Sequence, residues 1–241
     1  MRFDPPLIAG RLERRYKRFL ADVVLEDGTR VTAHCPNSGS MRTCWAEGWP
    51  VRLSPASNPA RKLKYTLEMT HNGRCWIGVN TQWPNALVAE AVSKGGIPEL
   101  AGYSTIRREV PYGKNSRIDL LLEGHATRPP CHVEVKNTTL VEDDGVCRFP
   151  DAVTERGLKH LHELMAVVRG GGRAALVFTL QRGDGRGFGP ASHIDEEYGR
   201  VLAQAARAGV ELLPYRVRVT PQGLEVEGRE TFDAAFAEAC R

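Results

Sequence analysis

Two apolar runs in this chain each carry an acid where burial makes an acid costly. Residues 116–122 read Ser-Arg-Ile-Asp-Leu-Leu-Leu and residues 131–136 read Cys-His-Val-Glu-Val-Lys. Asp119 interrupts the first run, and Glu134 sits between Val133 and Val135 with Lys136 following. Strand alternation puts Glu134 and Lys136 on one face and the two valines on the other. Gly124, Pro129 and Pro130 lie between the runs and turn the chain back into a hairpin. Asp119 is then brought near Glu134 and Lys136. Two carboxylates and an amine at the ends of adjacent strands suit a hard divalent cation and a water. The competing reading is an ion-pair cluster in which Lys136 neutralises both acids. Burying three charges for structure alone is rarely favourable, so the pattern points to a site.

The segments around this hairpin divide in two. Upstream, the strand candidates are residues 18–25, 30–35, 49–54, 62–69 and 74–79. Glu-Asp-Gly-Thr at 26–29 and Asn72-Gly73 mark hairpin turns. Five short strands over residues 1–82 predict a small β-barrel of the oligonucleotide/oligosaccharide-binding (OB) type. A boundary falls near residues 81–84. Over residues 83–241 the period changes. A helix runs from Ala86 to Lys94 with Asn85 as its N-cap and Glu90 on it, a candidate third carboxylate for the metal. Strands follow at 106–110, 117–122 and 132–136. Asp151 is placed as the N-cap of a helix reaching Val168. A nearly all-apolar strand spans 174–180, a glycine-rich loop 183–189, a helix 195–208, strand material 210–219 around Pro214, and a last helix 230–240. The whole reads as a two-domain α+β or α/β chain, a small barrel followed by a mixed sheet flanked by helices.

The net charge of the 241 residues is only +4, so distribution matters more than sum. Between Arg11 and Arg18 stand five basic residues and one acid, and residues 61–64 read Arg-Lys-Leu-Lys. On the helix after the hairpin, Arg156, Lys159 and His160 share a face with Glu163. Arg14, Arg15, Lys17, Arg18, Arg61, Lys62, Lys64, Arg156, Lys159 and His160 are therefore the candidate contacts to a DNA backbone. Tyr16, Trp45, Trp49, Tyr65 and Trp76 are either base-stacking platforms or core. No apolar run is long enough for a membrane span and no signal h-region opens the chain, so a cytoplasmic location is expected. Six scattered cysteines without a Cys-x-x-Cys pair argue for reduced thiols and against a zinc ribbon. Monomer and homodimer both stay open.

Helix, strand, strand with Asp119, strand with Glu134-Val135-Lys136, helix, strand is the layout of the PD-(D/E)xK nucleases. The proline of their name is absent, since Ile118 precedes Asp119. Nearly end to end, the chain resembles the sugar fermentation stimulation protein A (SfsA) family. The resemblance rests on residues 15–22 (Arg-Tyr-Lys-Arg-Phe-Leu-Ala-Asp), 34–41 (His-Cys-Pro-Asn-Ser-Gly-Ser-Met), 116–119, 134–140 (Glu-Val-Lys-Asn-Thr-Thr-Leu) and 149–161. It implies DNA binding of low sequence specificity, an N-terminal OB-like domain and a C-terminal restriction-endonuclease-like domain. Asp119 and Glu134 would then bind Mg2+ or Mn2+, with the Val135 carbonyl as a further ligand. Lys136 would orient the attacking water or steady the phosphorane. The alternative is a non-catalytic DNA-binding factor linked to sugar (maltose) metabolism, its nuclease-like site vestigial.

Overall fold

A computed structural model describes residues 1–58, 60–113 and 116–241. The first strands are β1 (Ile8–Tyr16), β2 (Leu20–Leu25), β3 (Arg30–His34), β4 (Pro50–Pro55), β5 (Tyr65–His71) and β6 (Trp76–Gly78). They hydrogen-bond in the order β3-β2-β1-β4-β5-β6, and a parallel pairing of β3 with β5 closes the first five into a barrel. The strand at Ile8–Tyr16 replaces what the charge pattern suggested was only a basic run. Its inward positions are Gly10 and Leu12, so period-two apolarity is nearly invisible. A side chain at Gly10 would meet Val23 Cγ1 at 2.5 Å, which shows how closely β1 crosses β2. The expected fifth strand at 74–79 is instead the short β6, outside the closed ring. Trp45, Trp49 and Tyr65 pack on the barrel core. Trp76 lies under Arg52, and Tyr16 under Arg14.

The second unit opens with helix α1 (Pro84–Ser93) and a 3-10 turn at Pro98–Leu100. Then come β7 (Thr105–Tyr112), β8 (Ser116–Glu123), β9 (Cys131–Thr138), β10 (Leu140–Val141), β11 (Val146–Phe149), α2 (Glu155–Arg169), β12 (Arg173–Leu180), β13 (Arg186–Pro190), α3 (Glu196–Arg207), β14 (Glu211–Thr220), β15 (Gly223–Arg229) and α4 (Ala234–Ala239). Six strands form a mixed sheet in the order β15-β14-β12-β9-β8-β7, and β10, β11 and β13 form a small second sheet. β12 is central and parallel to both neighbours, which explains its buried run Ala174 to Leu180. α1 covers one face over Leu120, Leu122, Val133 and Val135. Leu161, Leu164 and Met165 of α2, with Tyr198 and Val201 of α3, cover the other against Phe178. The glycine-rich stretch expected as a loop ends as β13, and the last helix is shorter than expected.

The barrel is stitched to the mixed sheet beyond the end of β12. The Gly78 N–H donates to the Gln181 carbonyl at 2.9 Å, and Ile77 bridges Arg182. Arg182 is buried and donates to the Thr43 carbonyl (3.1 Å), the Thr43 hydroxyl (3.1 Å) and the Thr139 carbonyl (2.9 Å). Its other nitrogens hold Asp184, which also accepts from Asn72 of the barrel at 2.6 Å. One guanidinium thus satisfies groups from both domains. Its hydrogen bonds to Asp184 hold that carboxyl well below the usual carboxylate range. The stability so contributed is complete above the unfolded-state value of about 4 and is lost as pH falls below it. Asp184→Asn, measured by urea unfolding from pH 7 to pH 2, should flatten the acid limb and cost about 3–5 kcal/mol at neutral pH, because Arg182 is left as an uncompensated buried charge. An acid limb and a neutral-pH stability matching those of the native chain would contradict this seam.

Candidate metal centre between the domains

The antiparallel ladder between β8 and β9 runs from Leu122–Cys131 to Leu120–Val133 and stops there. The next pair would be Asp119 and Glu134. Instead the strands part, and the side chain of Asp119 takes over from the backbone. Its Oδ2 accepts the Val135 N–H at 2.7 Å, and its Oδ1 accepts the Asn85 amide at 2.7 Å. On β7, which flanks β8 on the side away from β9, Glu109 sits at φ +53°, a left-handed conformation that non-glycine residues adopt at a cost. Backbone strain of this kind gathers at functional sites.

Glu134 is 3% exposed and faces α2. Its Oε1 accepts from Lys136 Nζ at 2.8 Å and from His160 Nδ1. A carboxylate oxygen only accepts, so the proton lies on Nδ1; Nε2 then accepts from Arg156 Nε at 3.4 Å. Oε2 of Glu134 is buried with no hydrogen-bond partner. Burial pushes the Glu134 carboxyl up, but the His160 hydrogen bond and the Lys136 charge outweigh this and hold it below its ordinary value. Asp119 goes the other way. Burial and then the Glu134 charge push it up to about 6, against lowering by the Val135 N–H, Lys136 and Asn85. The two acids thus lie close enough to repel, and their cationic neighbours do not compensate both.

These groups line a cleft of about 390 Å³ whose opposite wall belongs to the barrel, at Asn37, Ser38 and Gly39. Asp151 docks that wall, accepting from the Ser40 hydroxyl at 3.2 Å and the Met41 N–H at 3.3 Å. A side chain on Gly39 would lie 2.4 Å from Asp151 Oδ2, so any other residue would push the Asp151 carboxylate off the loop. Arg15 holds the same loop from behind through the Asn37 and Gly39 carbonyls.

Several expectations are corrected here. Asn85 is not the cap of α1; Pro84 occupies the first turn, and Asn85 projects to Asp119. A proline at the first helical position is a start signal that would have placed Asn85 inside the helix. Asp151 is not the cap of α2, which is Thr154, accepting from the Gly157 N–H at 3.0 Å. Glu90 is apart from the other acids, paired with the N-terminal amine at 3.3 Å and with Lys94. His160 is no surface contact: Gly157, His160, Leu161 and Leu164 form the buried face of α2, a spacing readable in the sequence. Of the remaining basic candidates, Arg156 lines the cleft, Lys159 stands 3.8 Å from Glu163, and Arg14 pairs with Asp22. Lys17, Arg18, Lys62 and Lys64 are exposed on the barrel, where Arg61 donates to Thr66.

In chelator-treated protein, carbon-detected NMR should find Asp119 titrating near pH 6. Glu134→Gln should lower that midpoint by removing the like charge, and Asn85→Ala should raise it by removing a donor. An Asp119 midpoint at the ordinary value of about 4 would contradict the geometry.

With the geometry in place, the comparisons with known proteins agree on kinship. A family profile described as "Sugar fermentation stimulation protein RE domain" matches residues 82–223, and one described as "SfsA N-terminal OB domain" matches residues 14–79. The sugar fermentation stimulation protein homolog of Acidithiobacillus ferrooxidans is 54% identical over 226 residues, 94% of this chain and 97% of that one. The homolog of Pelobacter propionicus is 57% identical over 93% of this chain and 96% of its own. The solved structure of Pyrococcus furiosus SfsA in complex with Ca2+ superposes with a TM-score of 0.86 at 26% identity, covering 97% of this chain and 98% of that one. Matched over most of its length by one family profile and over nearly all of it by relatives above half identity, the chain belongs to the SfsA family of sugar fermentation stimulation proteins.

Proposed function

We propose that this protein hydrolyses phosphodiester bonds in DNA, with Mg2+ or Mn2+ held by Asp119 and Glu134. The observation that carries the reading is the buried, unpartnered Oε2 of Glu134 beside an Asp119 carboxyl that the same charge destabilises. A buried acceptor without a donor costs about 1–3 kcal/mol or more when charged, and a cation between the two acids removes both penalties. Among the described residues no cluster of three or more His, Cys, Asp or Glu surrounds a common ion position. Mg2+ keeps several waters and is held by one or two carboxylates, so Asp119 and Glu134 suffice for it. The Ca2+ in the Pyrococcus furiosus structure supports a hard, oxygen-seeking ion for this fold.

When bound, the cation supplies a water of lowered pKa and charge to offset the scissile phosphate. The chain's own groups do the rest. The Val135 N–H and the Asn85 amide fix the Asp119 carboxylate. His160 and Lys136 occupy Oε1 of Glu134 and leave Oε2 for the ion. Lys136 Nζ, partly exposed in the cleft, orients the attacking water or donates to the phosphoryl oxygens. Arg156 at the cleft wall holds a flanking phosphate. Lys17, Arg18, Arg61, Lys62 and Lys64 of the barrel grip the backbone without reading bases.

Two measurements test this. With Mg2+ or Mn2+, Asp119→Ala and Glu134→Ala should reduce DNA cleavage to background, and Lys136→Ala should reduce it by about 10²–10³-fold, all with DNA retention nearly intact. Because Asp119 must lose its proton to bind the ion, Mn2+ affinity should weaken by about tenfold from pH 7 to pH 5. Cleavage undiminished in the three variants sinks the reading. Salt-sensitive DNA retention with no nicking by the native chain favours the non-catalytic regulator instead.

A further inference from the structure

Among the described residues two large hydrophobic side chains are exposed, Phe19 (46%) and Val153 (72%), and Phe19 is hydrogen-bonded to the segment that leads into the barrel's wall of the cleft. Phe19 follows Lys17 (φ +46°) and Arg18 (φ +62°), two left-handed non-glycine residues that set the turn from β1 into β2. Its carbonyl accepts the Cys35 N–H at 2.8 Å, and its ring stacks on His34 with centroids 6.5 Å apart and planes 26° from parallel. Phe19 is therefore held on its backbone while its outer face is open to solvent. His34 in turn lines a groove with Arg61, Lys62, Leu63 and Gln82. The Arg61 guanidinium is fixed there by the Thr66 hydroxyl at 2.9 Å.

Neighbouring residues line this groove and the metal cleft. Gln82 lines the first and Thr81 the second. Thr81 is tied to Pro36 through its hydroxyl at 2.5 Å, and Asn37 and Asn85 then face the acids. A chain lying across Phe19 and His34 is led by residues 34–37 and 81–85 towards Asp119.

We propose that Phe19 and His34 are a base-stacking platform for single-stranded nucleic acid, with Arg61 and Lys62 on its phosphates. An aromatic face surrounded by cations suits a π-stacked base on a phosphate chain. In a duplex the bases already stack on one another and cannot reach it. One ring is also far too small a patch for a stable protein partner, which buries roughly 800 Å² on each side. The platform deepens the nuclease reading by naming its substrate class, and rests on that reading only for the destination of the strand.

The test is binding without hydrolysis, in EDTA, followed by fluorescence anisotropy. The probes are labelled oligo-dT and oligo-rU of about 12 nucleotides, long enough for one OB barrel, and a duplex of equal length. Phe19→Ala should weaken single-strand binding roughly 5- to 100-fold, the range for loss of one stacked base, with little change on duplex. Phe19→Trp should restore it. A preference between the two single strands identifies the sugar, and either satisfies the proposal. Unchanged single-strand binding in Phe19→Ala, or an equal loss on duplex, overturns it. If Phe19→Ala behaves as expected while the native chain never nicks DNA, the nuclease reading fails and the platform stands.

Discussion

The site depends on where the β8–β9 ladder stops. Antiparallel strands place opposite residues about 5 Å apart, so a paired Asp119 and Glu134 would set two like charges side by side inside the sheet. The strands separate at that step, and the Asp119 carboxylate replaces the missing backbone acceptor for Val135. The same separation opens the floor of the cleft. A fault in the sheet and the chemistry of the site are one feature, because the acids would be intolerable in a continuous ladder and unplaced in a loop.

The second constraint is the seam between domains. The barrel contributes none of the acids, yet its loop at residues 37–39 forms the facing wall. That loop is fixed at three points: Asp151 from the mixed-sheet domain, Arg15 from the barrel's own first strand, and Asn37, whose amide donates to the Val79 carbonyl at 3.0 Å. Arg182 and the Gly78–Gln181 bond keep the two domains in register behind it. Arg15, which the charge pattern nominated for DNA, therefore works inside the protein as a brace. The cleft's width is set by hydrogen bonds between domains, not by either domain alone.

Legibility in the sequence followed local cost. Acids within Ile118–Leu122 and Val133–Val135 stood out because burial makes them conspicuous, and turns at Gly28 and Gly73 were legible because both take positive φ. The buried β12 was equally plain from its unbroken apolar run. β1 was hidden because only Gly10 and Leu12 of it are buried, and Arg11, Glu13, Arg14 and Arg15 carry charge. The caps misled because Asn85 and Asp151 have the right chemistry for a cap, and only tertiary contacts redirect them to Asp119 and to the barrel loop. The helical spacing of His160 to Arg156 and Glu163 fits a basic stripe, but its spacing to Leu161 and Leu164 fits the buried face equally well, and packing against the sheet decides for burial. Partners that meet across more than a hundred residues, such as Ser40 with Asp151, leave no local trace.

The central claim is that Glu134 Oε2 and Asp119 share one divalent ion. Anomalous diffraction from crystals soaked in Mn2+ tests it most directly. The expected result is a peak bound by both carboxylates, with waters completing the shell. A soaked crystal with no peak between Asp119 and Glu134, or with its ion at Glu90 instead, would contradict it.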